Sequence, residues 1–404
     1  MDNVVNKLSL HNNDKKFFLP TFCVMLVFFR RSIAILLSFV FHISFGRQLV
    51  SAVAIAGLII WILKTKKIKI HMSMLFLVGM VLLILFSILI SPNSRANDMF
   101  IGFCLYCLVG AFSIYYAEDS AYLIRLFCWG AIVLLVFCSP LPFITGTLSY
   151  MDMGYISNGM AYGEWILVPG FIALHLIRNK YSLKWIILLQ VVVVVIILLY
   201  ANRGSILSVI AFLACYELLE KRSNWRKYLK WAVIIIIAFI LLYFSEDILN
   251  FVNDRILIPN GLYSRSITRM IYYFASEGKG MENLSRGREN TGNAALQFLL
   301  EYPIQGIGVG TFYYLTGHAY THNFITDALT TFGVVFGSLI LIITIKAVIN
   351  MIKEKDESNK LLLVIFFAQS FPRLFFSQTF VTDVTYWMFI ILAYTCGIRK
   401  KKNE

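Results

Sequence analysis

The sequence predicts an all-α, polytopic transmembrane bundle of about 12 spans. Three observations predict it. The 404 residues are 59% hydrophobic and only 14% charged, with too few polar groups to cover a soluble protein of this size. The apolar residues come in runs of about 17 to 25, the length that crosses roughly 30 Å of hydrocarbon. Lys and Arg gather in short clusters between those runs: Lys64-Thr65-Lys66-Lys67, Lys221-Arg222 through Lys230, and Arg399 to Lys402. The net charge of +14 therefore reads as membrane topology, because basic residues accumulate on the cytoplasmic side of spans. The lipid bilayer is an expected partner and nucleic acid is not.

From Phe17 to Phe45 the chain is apolar but interrupted by Arg30-Arg31. Charges at mid-membrane cost about 2.5 to 3.5 kcal/mol each on insertion scales. This stretch predicts one tilted or broken span whose arginines reach a polar interior or the interface. No small-residue cleavage site follows it, so it reads as a retained span and not a signal peptide. Leu49 to Leu63 is a second span, ended by the Lys64 cluster. Further spans are expected at 72–91, 99–116, 121–143, 161–178, 183–201, 204–219 and 230–244. After a long loop come 322–350, 361–378 and 380–398. With Lys15-Lys16 inside, every strongly basic connection falls on one side, which puts both termini in the cytoplasm.

The seven cysteines all lie in apolar stretches. Cys104-Leu105-Tyr106-Cys107 has metal-ligand spacing but no second ligand pair, so neither a metal site nor a disulfide framework is expected. No internal repeat is visible, and 1–404 reads as one integral membrane domain.

That topology leaves 245–320 as one large outer-face loop. Asp247 to Ile258 carries apolar residues at helical spacing and is expected to lie on the membrane surface. Thr291 to Glu301 reads as a second short helix, stopped by Pro303. The loop is rich in arginine (Arg255, Arg265, Arg269, Arg286, Arg288) and holds a single lysine, Lys279. That bias favours geometric recognition of an anion, since a guanidinium fork matches phosphate oxygens. Gly287 between Arg286 and Arg288 suggests a flexible segment that wraps an anion, although solvated loop charge is the blander reading. Arg203, in the short turn Tyr200 to Ser205, has two open readings: a snorkelling hairpin arginine, or an anion ligand at the outer boundary. Gly306-Ile307-Gly308-Val309-Gly310 lacks the βαβ unit of a dinucleotide fingerprint and reads as a flexible hinge at the membrane surface.

His322 follows Thr321, a good N-cap, and begins a helix expected over Asn323 to Lys353. The positive end of a helix favours a neutral imidazole and a bound phosphate. His318 is a weaker candidate. Asn323 and Asp327 are expected as i, i+4 partners on one face. Gly333-Val-Val-Phe-Gly337 is a small-xxx-small pattern for close helix packing.

Ser285-Arg286-Gly287-Arg288, then Tyr302-Pro303-Ile304-Gln305-Gly306-Ile307-Gly308, then His322-Asn323 with Thr330-Thr331-Phe332-Gly333 resemble the O-antigen polymerase/ligase superfamily. The family pattern runs approximately S-G-R, P-x-x-G-x-G, H-N, with a glycine about ten residues on. Arg203 matches an arginine at the outer end of a middle span. Two departures stand out: Arg286 intrudes in S-G-R, leaving two arginines for one role, and Tyr302 stands where the family often has histidine.

The resemblance implies a glycosyltransferase-C-like enzyme without a cofactor. It would act on undecaprenyl-pyrophosphate-linked glycan donor and acceptor at the outer leaflet of a bacterial inner membrane. A chain-length regulator is a further partner it implies. Arg203 and Arg288, with Arg286 as alternate, would neutralise the leaving pyrophosphate, and His322 would take the acceptor hydroxyl's proton. Arg265, Arg269, His318 and Asn323 are secondary site residues. A ligase delivering finished glycan to lipid A–core or protein is the alternative. A lipid-linked oligosaccharide transporter is a third and lesser reading: the gathering of most polar residues in one outer loop speaks against it, and intramembrane Arg30, Arg31 and Glu164 speak for it.

Overall fold

The computed structural model describes residues 14–43, 45–65, 72–138, 162–181, 183–199, 203–219, 250–260, 271, 280–318, 320–321, 323–376 and 378–401. Among the described residues every regular element is helical. In chain order these are α1 (Asp14–Phe28), α2 (Arg30–Phe41), α3 (Gly46–Thr65), α4 (Met72–Ile90), α5 (Ser94–Tyr116), α6 (Ser120–Cys138) and α7 (163–181). There follow α8 (Ile186–Leu199), α9 (Arg203–Leu219), α10 (Gly280–Glu301), α11 (Thr311–Thr316), α12 (Phe324–Lys353), α13 (Glu357–Phe376) and α14 (Val384–Lys401).

The protein is a multi-pass membrane protein by its helices, but the expected 12 spans are not found. Among the described residues five helices are long and apolar enough to cross a membrane: α3, α4, α5, α6 and α12. Counting α1 and α2 as one bent span makes six. Other apolar helices are not counted among these. α8 and α9 are described over 14 and 17 residues, fewer than the roughly 20 that span hydrocarbon. α7 and α13 carry Glu164, Arg178, Lys360 and Arg373 within their apolar runs. The apolar part of α14 is Val384–Cys396. The run expected at 230–244 lies outside the described residues.

The core sits around the C-terminal helices. In α14, every residue from Tyr386 to Leu392 is fully buried, as expected of a helix apolar on all sides. It packs against α5, α12 and α13, and α13 lies along α9. The outer helices are the reverse: Leu82 and Leu89 on α4 and Leu188 on α8 stay exposed, forming the apolar surface that faces lipid.

The break expected near Arg30 is present. α1 and α2 meet at Phe29 with a bend of 65°. Further backbone irregularities follow: a π-helical segment Phe103–Leu108 inside α5, another, Gly163–Leu167, opening α7, and Pro372 inside α13. α12 also breaks, at Gly333 (φ 75°, ψ 174°).

Candidate functional site

Four of these irregular places, all but Gly333, meet a short 3-10 turn at one buried cluster. The first two residues after the α1–α2 break are Arg30 and Arg31; the π segment of α5 holds Tyr106; that of α7 holds Glu164 and Trp165. Arg373 follows Pro372, and Asp383 ends the 3-10 turn Phe380–Thr382. Irregular backbone at membrane depth is tolerated where it is buried in protein, and π segments recur at functional sites.

Arg373 is the hub and is fully buried. Its Nη2 donates to Asp383 Oδ2 at 3.0 Å and Thr385 Oγ1 at 2.7 Å. Its Nη1 lies 3.7 Å from Glu164 Oε2, and its Nε donates to the Gln369 carbonyl at 2.5 Å. Asp383 in turn accepts from Thr385 Oγ1 and from the Tyr386 amide, capping α14. Gln369 donates its side-chain amide to the Glu164 carbonyl, which bridges α13 to the π segment of α7. The Trp165 ring receives two cations, Arg373 at 4.1 Å and Arg31 at 4.9 Å, while Arg30 lies 4.3 Å over Tyr106.

The cluster is not closed. Nε and one Nη of Arg30, Nε of Arg31 and Nε1 of Trp165 are buried donors with no hydrogen-bond partner among the described residues. Each such group costs about 1–3 kcal/mol. One buried acceptor, Gln369 Oε1, is likewise without a partner among the described residues, but the unpaired donors outnumber it and carry positive charge, which suits an oxyanion.

A second assembly stands next to it. The break at Gly333 leaves the last carbonyls of one half-helix and the first amides of the next without helical partners. The strap Pro303–Gly310 supplies them. Ile307 N–H donates to Thr330 C=O at 2.9 Å, Gly308 N–H to Thr331 C=O at 3.0 Å, and Val334 N–H to Pro303 C=O at 2.7 Å. A Cβ on Gly306 would stand 2.5 Å from the Gly333 nitrogen, and one on Gly333 would overlap the Ile304 carbonyl. The strap also reaches the α4–α5 turn: Val309 N–H donates to Ser87 Oγ at 2.6 Å, and Asn93 Nδ2 to Val309 C=O at 3.2 Å. Gly306 to Val309 are buried. The sequence reading of a flexible hinge is therefore corrected: this is a clamped strap.

Gly337 is corrected too. Its expected role is packing between helices, but a Cβ there would lie 2.7 Å from the Ala328 carbonyl. In a straight helix residues nine apart are separated by about 13 Å. The two halves of α12 therefore double back on one another, and the glycine allows that approach.

The sequence-predicted site residues fare unevenly. His322, Arg265 and Arg269 lie outside the described residues. Arg203 is the first residue of α9. Arg286 and Arg288 are on α10, so the segment is helical and not the expected flexible wrap. α10 also starts before Thr291, where a short helix was expected, and ends at Glu301 before Pro303 as the sequence implies. It docks on α12, where Thr330 Oγ1 donates to the Ala295 carbonyl at 3.2 Å. His318 is exposed and its amide donates to Thr316 Oγ1.

Asn323, not Thr321, caps α12. Its backbone is extended (φ −149°, ψ 123°), and its Oδ1 accepts from Ile325 N–H at 2.9 Å. Thr321 Oγ1 donates to the Asn323 carbonyl instead. Asn323 and Asp327 do not pair side chain to side chain: Asn323 is exposed, and buried Asp327 accepts from Thr379 Oγ1 at 2.7 Å. That contact joins the two assemblies. Within six residues, Gln378 and Asp383 touch Arg373 while Thr379 touches Asp327 on α12.

Sequence reasoning missed Arg373, Asp383, Gln369 and Trp165. The available signal was the rule already applied to Arg30: an ionisable residue inside an apolar run has a partner, and the partner is another such residue. In comparisons with family models, curated proteins and solved structures, nothing matches this chain.

Proposed function

We propose that the chain is a glycosyltransferase that joins undecaprenyl-pyrophosphate-linked oligosaccharide units into a surface polysaccharide. In this reading it lies in a bacterial inner membrane with both termini cytoplasmic. The observation that carries the reading is the union of the motif segments. The helix bearing Ser285 to Arg288, the strap Pro303 to Gly308 and the Asn323 cap are bound into one unit at the α12 break. A sequence pattern spread over about fifty residues is more informative when its parts support one site.

In the reaction, the acceptor hydroxyl attacks the donor sugar C1 and the lipid pyrophosphate leaves. His322 takes the hydroxyl proton. Arg203 and Arg288 neutralise the charge developing on the pyrophosphate, which stabilises the transition state. Asp327 fixes the first turn of α12 through Thr379.

A second reading, transport of the lipid-linked unit, is favoured by the charged residues buried among broken helices. The polysaccharide ladder of a deletion strain, complemented with wild type or with His322→Ala or Arg288→Ala, separates the readings. The expected result is loss of the ladder with single repeat units still reaching the lipid A–core. Full-length polymer held on the lipid carrier means a ligase. Single units trapped on the carrier mean a transporter. An unchanged ladder in both variants removes the site assignment.

A further inference from the structure

Arg30 and Arg31 occupy the first two positions of α2, where a helix presents its positive end. Cations there have the wrong sign for the dipole. The preceding residue, Phe29, has no side-chain oxygen to cap the first turn. Arg30 is only 3% exposed, yet its Nε and one Nη have no hydrogen-bond partner among the described residues. Nε of Arg31 and Nε1 of Trp165 are left in the same condition. The rings of Tyr106 and Trp165 attract the guanidinium faces, but a ring face accepts no hydrogen bond along the guanidinium edge.

The nearby carboxylates relieve this only in part: Glu164 and Asp383 act favourably on the charge of Arg31, and Asp383 on that of Arg30, without accepting a hydrogen bond from the unpaired nitrogens. Arg373 engages both, Asp383 through Nη2 and Glu164 through Nη1. Among the described residues three guanidinium groups thus face two carboxylates, one positive charge more than the acids balance. Uncapped helix end, surplus charge and unpaired donors all ask for the same thing: an anion with several oxygen acceptors. A halide offers no directed acceptors to guanidinium and indole donors, whereas a tetrahedral oxyanion does.

We infer that the α1–α2 break is a buried site for a phosphate-class oxyanion, with Arg30 as principal ligand and Arg31 and the Trp165 indole N–H as supporting donors. The site is built on α2, α5 and α7, apart from the arginines of the 245–320 loop. It stands whether or not the polymerase reading holds. The same chemistry could be supplied by the phosphate of a membrane-borne polyprenyl lipid or by a free anion, and the test separates the two.

Full-length protein is reconstituted in nanodiscs of zwitterionic phosphatidylcholine and titrated calorimetrically with inorganic pyrophosphate. A parallel arm carries a polyprenyl monophosphate in the disc and follows bound phosphorus by NMR. Arg30→Met should weaken binding about tenfold or more, as expected for loss of a charge-assisted contact. Lys346→Met, which removes an exposed cation over Tyr394, should leave it unchanged. Saturation by dissolved pyrophosphate identifies a free anion as the source; Arg30-dependent binding of the disc-borne lipid alone identifies the headgroup.

A second readout separates a ligand from a structural prop. Without anion, Arg30→Met relieves an uncompensated buried charge, so its thermal midpoint should rise above wild type. A fall, or failure to fold, means the guanidinium is structural and overturns the inference. Equal binding by wild type and variant, or no binding of either probe by wild type, overturns it as well.

Discussion

The strap at Gly333 and the cluster at Arg373 are both places where membrane helices break, yet they settle their polar groups differently. At the strap, carbonyls freed by the break at Thr330 and Thr331 and the amide of Val334 are met by backbone of Pro303, Ile307 and Gly308. At the cluster, Arg373 is satisfied on all sides while donors of Arg30, Arg31 and Trp165 remain over. A break that closes on itself leaves no backbone group of its own for a ligand, so it serves to hold segments together, and any ligand there is met by side chains. A break that leaves surplus donors in a low-dielectric interior is poised for one.

This contrast can be broken by substitution. The largest effect is expected at Gly333→Ala. The position has a backbone open essentially only to glycine, and its Cβ overlaps the Ile304 carbonyl. A loss of more than about 4 kcal/mol, read as failure to recover folded protein in mild detergent, is the expected outcome. Wild-type yield would mean that the strap does not bind the break.

Arg373→Met should come next, at about 3–5 kcal/mol, because it strands the Asp383 and Glu164 carboxylates in the interior. Denaturation in mixed detergent micelles measures it. This variant and Arg30→Met should move stability in opposite directions; movement in the same direction would erase the distinction between hub and ligand.

Ser87→Ala tests the strap from its other side. It removes the acceptor of the buried Val309 amide and should cost about 1–3 kcal/mol. The smallest effect belongs to Gly317→Ala. Its φ of 73° is left-handed, but among the described residues nothing lies within 4 Å of the added Cβ, so backbone strain of about 1–2 kcal/mol is the expected cost. If Gly317→Ala cost as much as Gly333→Ala, steric docking of the strap would not be the reason for the latter.

Much of this was legible in advance, and the unread part has a pattern. The spans α3 to α6 follow from runs of apolar residues, and the α1–α2 break follows from two arginines that hydrocarbon rejects. The helix stop before Pro303 follows from proline chemistry. Gly306 and Gly333 were visible as glycines but misread as a hinge and a packing face, because their partners are 27 residues apart and belong to two elements. The candidate arginines of α10 were read as loop residues, because Gly287 suggested flexibility where the backbone is helical.

The sequence by itself determined the solvent. Its composition and run lengths require a helical membrane protein, since in lipid a lone segment satisfies its backbone only as a helix. It also determined that Arg30, Arg31 and Glu164 need company. Only the tertiary structure decided which company. The packing of α2, α5, α7, α13 and α14 brings Arg373 and Asp383 from more than 200 residues away to Glu164 and Trp165, and uses both acids before Arg30 is served. Hydropathy is a property of segments and can be read along the chain. Charge balance is a property of a place, and that place exists only once the helices are packed.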